Sequence, residues 1–220
     1  MLKKFNSIFR ILQNDGLAWG ILNTWASTKS SIKGWIISKA LDAPGLKING
    51  TPTIRGRRYI KFGKNIHIGG NIWIEAISHY CNQDFNPEIS LGDGACFSND
   101  VHISCIDRIS IGSNTLMGSH VYIGDHGHGI YSGDRQSSAK EAPAARRLGG
   151  GGAVIIGNNV WIGDNAVILG PITIGHGSII GANSVVRHDV PDGTIVAGIP
   201  AKKIKEFNEN ESRWTRNEKQ

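Results

Sequence analysis

Cysteine, methionine and aromatic residues are scarce here: three Cys, two Met and 7% Phe, Trp and Tyr in 220 residues. Cys81, Cys96 and Cys105 are odd in number and show no CxxC spacing, which argues against a disulfide framework or a structural zinc site and makes a reducing cytoplasm the default. They read as small apolar fillers. The chain holds no run of about 18 uninterrupted apolar residues, so no segment reads as a bilayer-spanning helix. Lys3 and Lys4 are not followed by a continuous apolar stretch and a small-residue cleavage site, which disfavours a secretory signal. Acidic residues are outnumbered, 18 against 24 Lys and Arg, leaving a net charge of +6. That surplus raises the local concentration of anions, and a phosphorylated cofactor or an anionic membrane satisfies it as well as nucleic acid does.

Glycine is what the chain has in quantity, 29 residues without a collagen period, which implies many turns and a repeat. From Ile156 an apolar residue returns every six positions, at Ile162, Ile168, Ile174, Ile180 and Val186. Gly157, Gly163, Gly175 and Gly181 follow four of these, and Val160, Ala166, Ile172, Ser178, Ser184 and Val190 sit four places after each. A period of six suits neither a helix nor a simple alternating strand. It suits short strands joined by tight turns and wound so that equivalent residues stack, with Gly and Asn at left-handed corners. Phe62, Ile68 and Ile74 hold the same register earlier, as do Leu91, Phe97 and Ile103; a two-residue shift then resets it to Ile111, Met117 and Ile123. The polar, basic block from Asp125 to Gly152 breaks the pattern and reads as a flexible loop extruded from the wall.

The ends differ from the repeat. Residues 1–45 read as a helical extension carrying Trp19, Trp25, Trp35, Lys29, Lys33 and Lys39. Such an amphipathic segment packs on the β-helix or on a neighbouring subunit, or lies on an anionic membrane surface. Residues 46–205 form the repeat domain and 206–220 a tail, with Lys202 to Trp214 expected as a short helix and a loose end.

The stretch from Ile156 through Trp161, Gly163 and Ile180-Gly181-Ala182-Asn183-Ser184-Val185-Val186 to Ala197-Gly198-Ile199-Pro200-Ala201-Lys202 resembles the hexapeptide acyltransferases. These include maltose, galactoside and streptogramin acetyltransferases. Polysaccharide O-acetyltransferases of O-antigen and capsule clusters often carry a block like Ile123-Gly124-Asp125-His126-Gly127-His128-Gly129-Ile130. The likeness covers about residues 60 to 205. It implies an all-β, left-handed parallel β-helix that assembles as a homotrimer with sites in the clefts between subunits. It also implies acetyl-CoA as co-substrate, no permanently bound cofactor or metal, a sugar or glycan acceptor and no nucleic acid. A cytoplasmic enzyme with peripheral contact at the inner membrane would suit a lipid-linked acceptor.

The chemistry asks for a base near working pH within reach of the acceptor hydroxyl, and histidine meets that demand. In related sugar acetyltransferases the catalytic histidine lies seven positions after the valine matching Val121. That position here is His128, with His126 and Asp125 to orient the base or contact the acceptor, and His126 as the alternative base. The resemblance places Trp161 and Gly163 beside the acetyl and pantetheine and Ala182 in backbone contact. It puts Arg187, His188 and Lys205 near the nucleotide, although some relatives have Thr-Lys at the Arg187-His188 position. Asn99, Asp100 and Asp107 are acceptor-side candidates. His102 and the remaining histidines read as surface or corner residues, and Arg146 and Arg147 as loop charges free to meet solvent, acceptor or cofactor.

N-acetylation of an amino sugar and transfer to a small antibiotic stay open, since the same base serves each. A carbonic anhydrase of the γ type shares this fold and needs three histidines on zinc. His102 lies five places after Phe97 but His120 only three after Met117, so these two should not stack. A scaffold without activity would have little use for the histidine-bearing loop.

Overall fold

The computed structural model describes residues 32–216, so the expectations for residues 1–31, Trp19 and Trp25 included, lie outside the described residues. Within them the chain winds into a three-sided left-handed parallel β-helix. The first face stacks Lys47–Ile48, His67–Ile68, Cys96–Phe97, Leu116–Met117, Trp161–Ile162, Ile179–Ile180 and Thr194–Ala197. Thr53–Arg55, Ile72–Ala76, Val101–Cys105, Tyr122–Gly124, Val167–Leu169 and Val185–Val186 make the second. The third consists of Ile60–Phe62, Glu88–Leu91, Arg108–Ile111, Ala153–Ile156 and Ile172–Ile174.

Stacking follows from the six-residue period. Ile48, Ile68, Phe97, Met117, Ile162, Ile180 and Val196 form one inward ladder on the first face. Ile54, Ile74, Ile103, Ile123, Ile168 and Val186 form another on the second. Nearly all are fully enclosed, and burying one such side chain stabilises the coil by about 1.5–3 kcal/mol. The smaller Val160, Ala166, Ser178 and Ser184 are also buried, as the repeat predicts for corner positions. Asn114, Asn159, Asn165 and Asn183 take φ of 56° to 58°, the left-handed corner conformation that Asn tolerates. Gly163 is required by stacking: a Cβ there would sit 2.6 Å from the backbone nitrogen of Ala182.

The irregularities share one place. The hairpin of His79–Tyr80 and Gln83–Asp84, the turn after Cys105 and the long block 125–152 all leave the prism between its second and third faces. The two-residue shift in the repeat is the turn at Ile106-Asp107, and it makes His102 pair with Tyr122 in register, not with His120. The long block is an extrusion, but not a slack one. His126–His128 pairs antiparallel with Leu148–Gly150, so the glycine run expected to be flexible closes the loop at its base.

At the ends, residues 32–40 form a helix over the first coil, with Gly34 against Ile48 and Ile37 packed on the core. The helix expected between Lys202 and Trp214 is instead a pair of strands. Lys202–Asn208 runs antiparallel to Thr194–Ala197, and Arg213–Thr215 returns along it, with Trp214 edge-on to Phe207. An open strand edge at the last coil outweighs the segment's own composition, because pairing there satisfies backbone groups that a separate helix would leave exposed.

Candidate active site

Residues at the corner of the fourth coil come together because the chain leaves the wall there. Asp125 turns into the protein beneath the turn at 105–107 and is buried. Its carboxylate accepts from the backbone N–H of Ile106 at 2.9 Å and of Asp107 at 2.8 Å, and from the Cys105 thiol at 3.3 Å. It also accepts from His126 Nδ1 at 2.8 Å. Burial pushes the Asp125 pKa up, but the His126 bond, the two backbone N–H groups and the thiol together hold it below the ordinary value. The same burial and the adjoining carboxylate push the Cys105 thiol up, so this cysteine stays protonated.

An ionised carboxylate can only accept, so the His126 proton lies on Nδ1 and its Nε2 carries the free lone pair. The His126 side chain is 7% exposed, oriented and screened at once. His128, two residues on, is exposed, and among the described residues no carboxylate lies against it. Its Nδ1 is 3.3 Å from the Tyr80 hydroxyl, whose own proton goes to the Ala144 carbonyl at 2.6 Å.

Both histidines line a cavity of about 670 Å³ that runs over the second face. Its wall is a row of rings in register, Trp73, His102 and Tyr122. His102 stacks on Trp73 at 4.3 Å between centroids and meets Tyr122 edge-on at 5.2 Å. Burial lowers the His102 pKa, while Glu75 works the other way and His126 adds to the lowering, so the two imidazoles feel one another. Beyond the rings lie Arg55, Glu75 and Ser104, one register row nearer the corner. The roof is made by the two insertions, locked together by the Gln83 amide. Its Oε1 takes the Leu148 N–H at 2.7 Å and its Nε2 donates to the Leu148 carbonyl at 3.1 Å.

Asp125, His126 and His128 are thus brought together with Asp107, whose backbone N–H meets Asp125, and the other sequence-derived candidates lie elsewhere on the prism. Trp161, 52% exposed, points out from the first face in a row with Ile179, Ile195 and Lys205. Gly163 and Ala182 stack at the corner between the first and second faces. Arg187 and His188 are exposed at the end of the sixth coil's second-face strand. Asp100 faces Asn71 at 3.3 Å and Asn99 packs against Gly70, both on the far side of the second face from His126. Asp107 accepts the Gly152 N–H at 2.6 Å. Arg146 is held within its loop, giving hydrogen bonds to the Glu141 carbonyl at 2.8 Å and the Tyr131 hydroxyl at 2.9 Å.

His102 is neither a surface nor a corner residue; it lies mid-strand, half-buried in the cavity wall. Trp73, Glu75, Tyr122 and Tyr80 were not singled out from the sequence. The signal was there in the alternation of Trp73 with Glu75 and His102 with Ser104 between buried residues, but pairing these strands requires knowing the length of the insertion between them. Among the described residues no three His, Cys, Asp or Glu side chains converge as metal ligands.

Comparison with known proteins points one way. The bacterial transferase hexapeptide family, six repeats, matches residues 153–188. WbbJ of Escherichia coli K12, a protein assigned to lipopolysaccharide biosynthesis as an O-acetyl transferase, is 36% identical over 161 residues, covering 73% of this chain and 79% of its own. Galactoside O-acetyltransferase of the same organism is 29% identical over 149 residues, 67% of this chain and 66% of that enzyme. Among solved structures, a single-substitution variant of the Bacillus cereus N-acyltransferase AntD, in complex with dTDP and coenzyme A, superposes with a TM-score of 0.60 at 18% identity, covering 77% of this chain and 84% of that one. The Vibrio cholerae hexapeptide-repeat acetyltransferase VCA0836 has a TM-score of 0.52 at 23% identity, with 81% and 79% covered. These two likenesses carry the fold.

Proposed function

Since this chain belongs to the hexapeptide-repeat acetyltransferases, we propose that it moves acetyl from acetyl-CoA onto a hydroxyl of a sugar in a bacterial surface glycan, with His126 as general base. The observation that carries the assignment to His126 is the buried Asp125 carboxylate, fixed by two backbone N–H groups and bonded to Nδ1. Nε2 takes the hydroxyl proton as the oxygen attacks the thioester carbonyl. Asp125 stabilises the imidazolium that forms, as in other histidine–carboxylate pairs. When the carbon–sulfur bond breaks, the imidazolium returns the proton to the departing thiolate, so no acyl-enzyme is needed. His128, tethered through Tyr80 to the loop, serves the roof of the site.

The donor groups lie one face away from this base. We assign the acetyl and pantetheine to Trp161, Gly163 and Ala182, and the phosphates to Lys205, Arg187 and His188. A homotrimer brings the first face of one copy against the second face of the next and makes one cleft of the two halves. Asn99 and Asp100 are then acceptor candidates only through that neighbour, whereas Asp107 adjoins Asp125 within the same chain. The helix at residues 32–40 exposes Ile32, Trp35 and Ile36 beside Lys33 and Lys39, which suits peripheral contact with an anionic inner-membrane surface on the cytoplasmic side. No helix among the described residues is long and apolar enough to cross a membrane.

Thermal unfolding with and without acetyl-CoA tests the reading. Ligand at about a hundred times its Kd stabilises by about 2.7 kcal/mol, a plain shift in Tm. The shift should persist in His126→Ala and shrink in Trp161→Ala. A wild-type protein that shows no shift at millimolar acetyl-CoA overturns the proposal.

A further inference from the structure

We propose that the wall formed by Trp73, Glu75 and His102 is the acceptor subsite, and that it takes an uncharged hexopyranose unit. This rests on the acetyl-transfer reading above and adds the chemical class of the acceptor. Trp73 is 40% exposed, with the His102 ring stacked on one side of its indole at 4.3 Å. The exposed Arg55 guanidinium lies over the ring, 5.6 Å from its centroid, so a sugar reaches the indole face by displacing that guanidinium. A large apolar surface held rigid in a cavity wall binds the C–H face of a sugar ring with little ordering cost.

The polar groups beside it are arranged for hydroxyls. Glu75 Oε1 accepts from the Ser104 hydroxyl at 3.0 Å, while Oε2 is 3.8 Å from Arg55 Nη1, outside hydrogen-bonding distance. The carboxylate therefore keeps lone pairs for incoming donors, and the guanidinium, 69% exposed, keeps N–H groups for incoming acceptors. His102 Nε2 is buried with no hydrogen-bond partner, 3.6 Å from Glu75 Oε1. A buried polar atom left unpaired is costly, and the carboxylate that lies nearest to it is the same group that would accept a ligand hydroxyl, so a ligand that repositions Glu75 also changes the setting of His102. Neighbouring hydroxyls donate and accept at once, which matches this set. The single negative and single positive charge balance, so the wall gives neither a carboxylate nor an ammonium an advantage. Tyr122 continues the ring row toward Gly124, whose missing side chain leaves room for the phenol beside the path to His126.

Saturation-transfer NMR on the full chain tests this with methyl glycosides of glucose, galactose and mannose, set against methyl glucuronide and methyl glucosaminide. At least one neutral glycoside should receive saturation in the wild type and in His126→Ala. Its Kd should rise at least tenfold in Glu75→Ala and in Trp73→Ala, and less in the shape-conserving Glu75→Gln. The acetyl-CoA shift in Tm, retained in all of these, shows that each variant is folded and keeps the donor site. Unchanged affinity in Glu75→Ala and Trp73→Ala, tighter binding of either charged glycoside, or no neutral glycoside bound overturns the subsite while that shift leaves acetyl transfer standing. Loss of the shift in the wild type strikes the parent reading instead.

Discussion

Asp125 is short, enclosed and surrounded by donors, so its chemistry is set by what it accepts. An asparagine at this position would offer an N–H to His126 Nδ1, force the imidazole proton onto Nε2 and remove the free lone pair. Asp125→Asn should therefore lower kcat by about a hundredfold or more with little change in the KM for acetyl-CoA. His126→Ala should lose about 10²–10⁴-fold, and His128→Ala much less; the reverse order would move the base to His128. The same carboxylate has a signature in stability. Folding holds Asp125 below its ordinary pKa, so in acid the native chain binds fewer protons than the unfolded one. Its contribution is fully present above the unfolded value of about 3.9 and is lost as pH falls through the folded value. The Tm gap between wild type and Asp125→Asn should accordingly narrow as pH is lowered below about 4. A gap that stays constant down to pH 2 would mean the carboxylate is not held as the structure has it.

Coils and insertions obey different rules, and their legibility in the sequence differs for that reason. Six positions from Ile156 to Val186 could be read directly, because each hexapeptide supplies one enclosed aliphatic and one small corner residue without interruption. The wall of the site could not, since Trp73 meets His102 across 29 residues and His102 meets Tyr122 across 20, and the insertions between them hide the coil length. Asp125 and His126 stood out by type, but the choice between His126 and His128 depends on a turn at 105–107 that only folding brings against Asp125. The segment after Pro200 misled because charged residues in alternation read equally as a helix surface or an edge strand. Two substitutions separate coil from insertion. Gly163→Val should destabilise the stack by about 1–3 kcal/mol, because a Cβ meets the Ala182 backbone and not a flexible side chain. Gln83→Ala should cost only about 1–2 kcal/mol, from the two hydrogen bonds to Leu148. Its mark is local: amide exchange should quicken at 126–128 and 148–150 while the Ile156 to Val186 coils keep their protection. Equal loss of protection across the prism would show that the roof and wall unfold as one unit.

At the scale of the whole molecule, the residues proposed as base and as donor row lie on different faces, His126 past the end of the second and Trp161 on the first. A rigid prism cannot fold one face onto another, so the proposed site requires a second copy. The homotrimer proposed above would supply it identically three times. The consequence can be measured by complementation. His126→Ala and Trp161→Ala should each be nearly inactive alone. After co-refolding in equal amounts, a working site forms wherever a copy with an intact base meets a neighbour with an intact tryptophan. Each condition holds for half the copies in a random trimer, so about one quarter of the wild-type activity should return. Simple mixing without subunit exchange should restore nothing. If co-refolded trimers, verified by mass, stay as inactive as their parents, then base and donor residues act within one chain and the shared cleft is wrong.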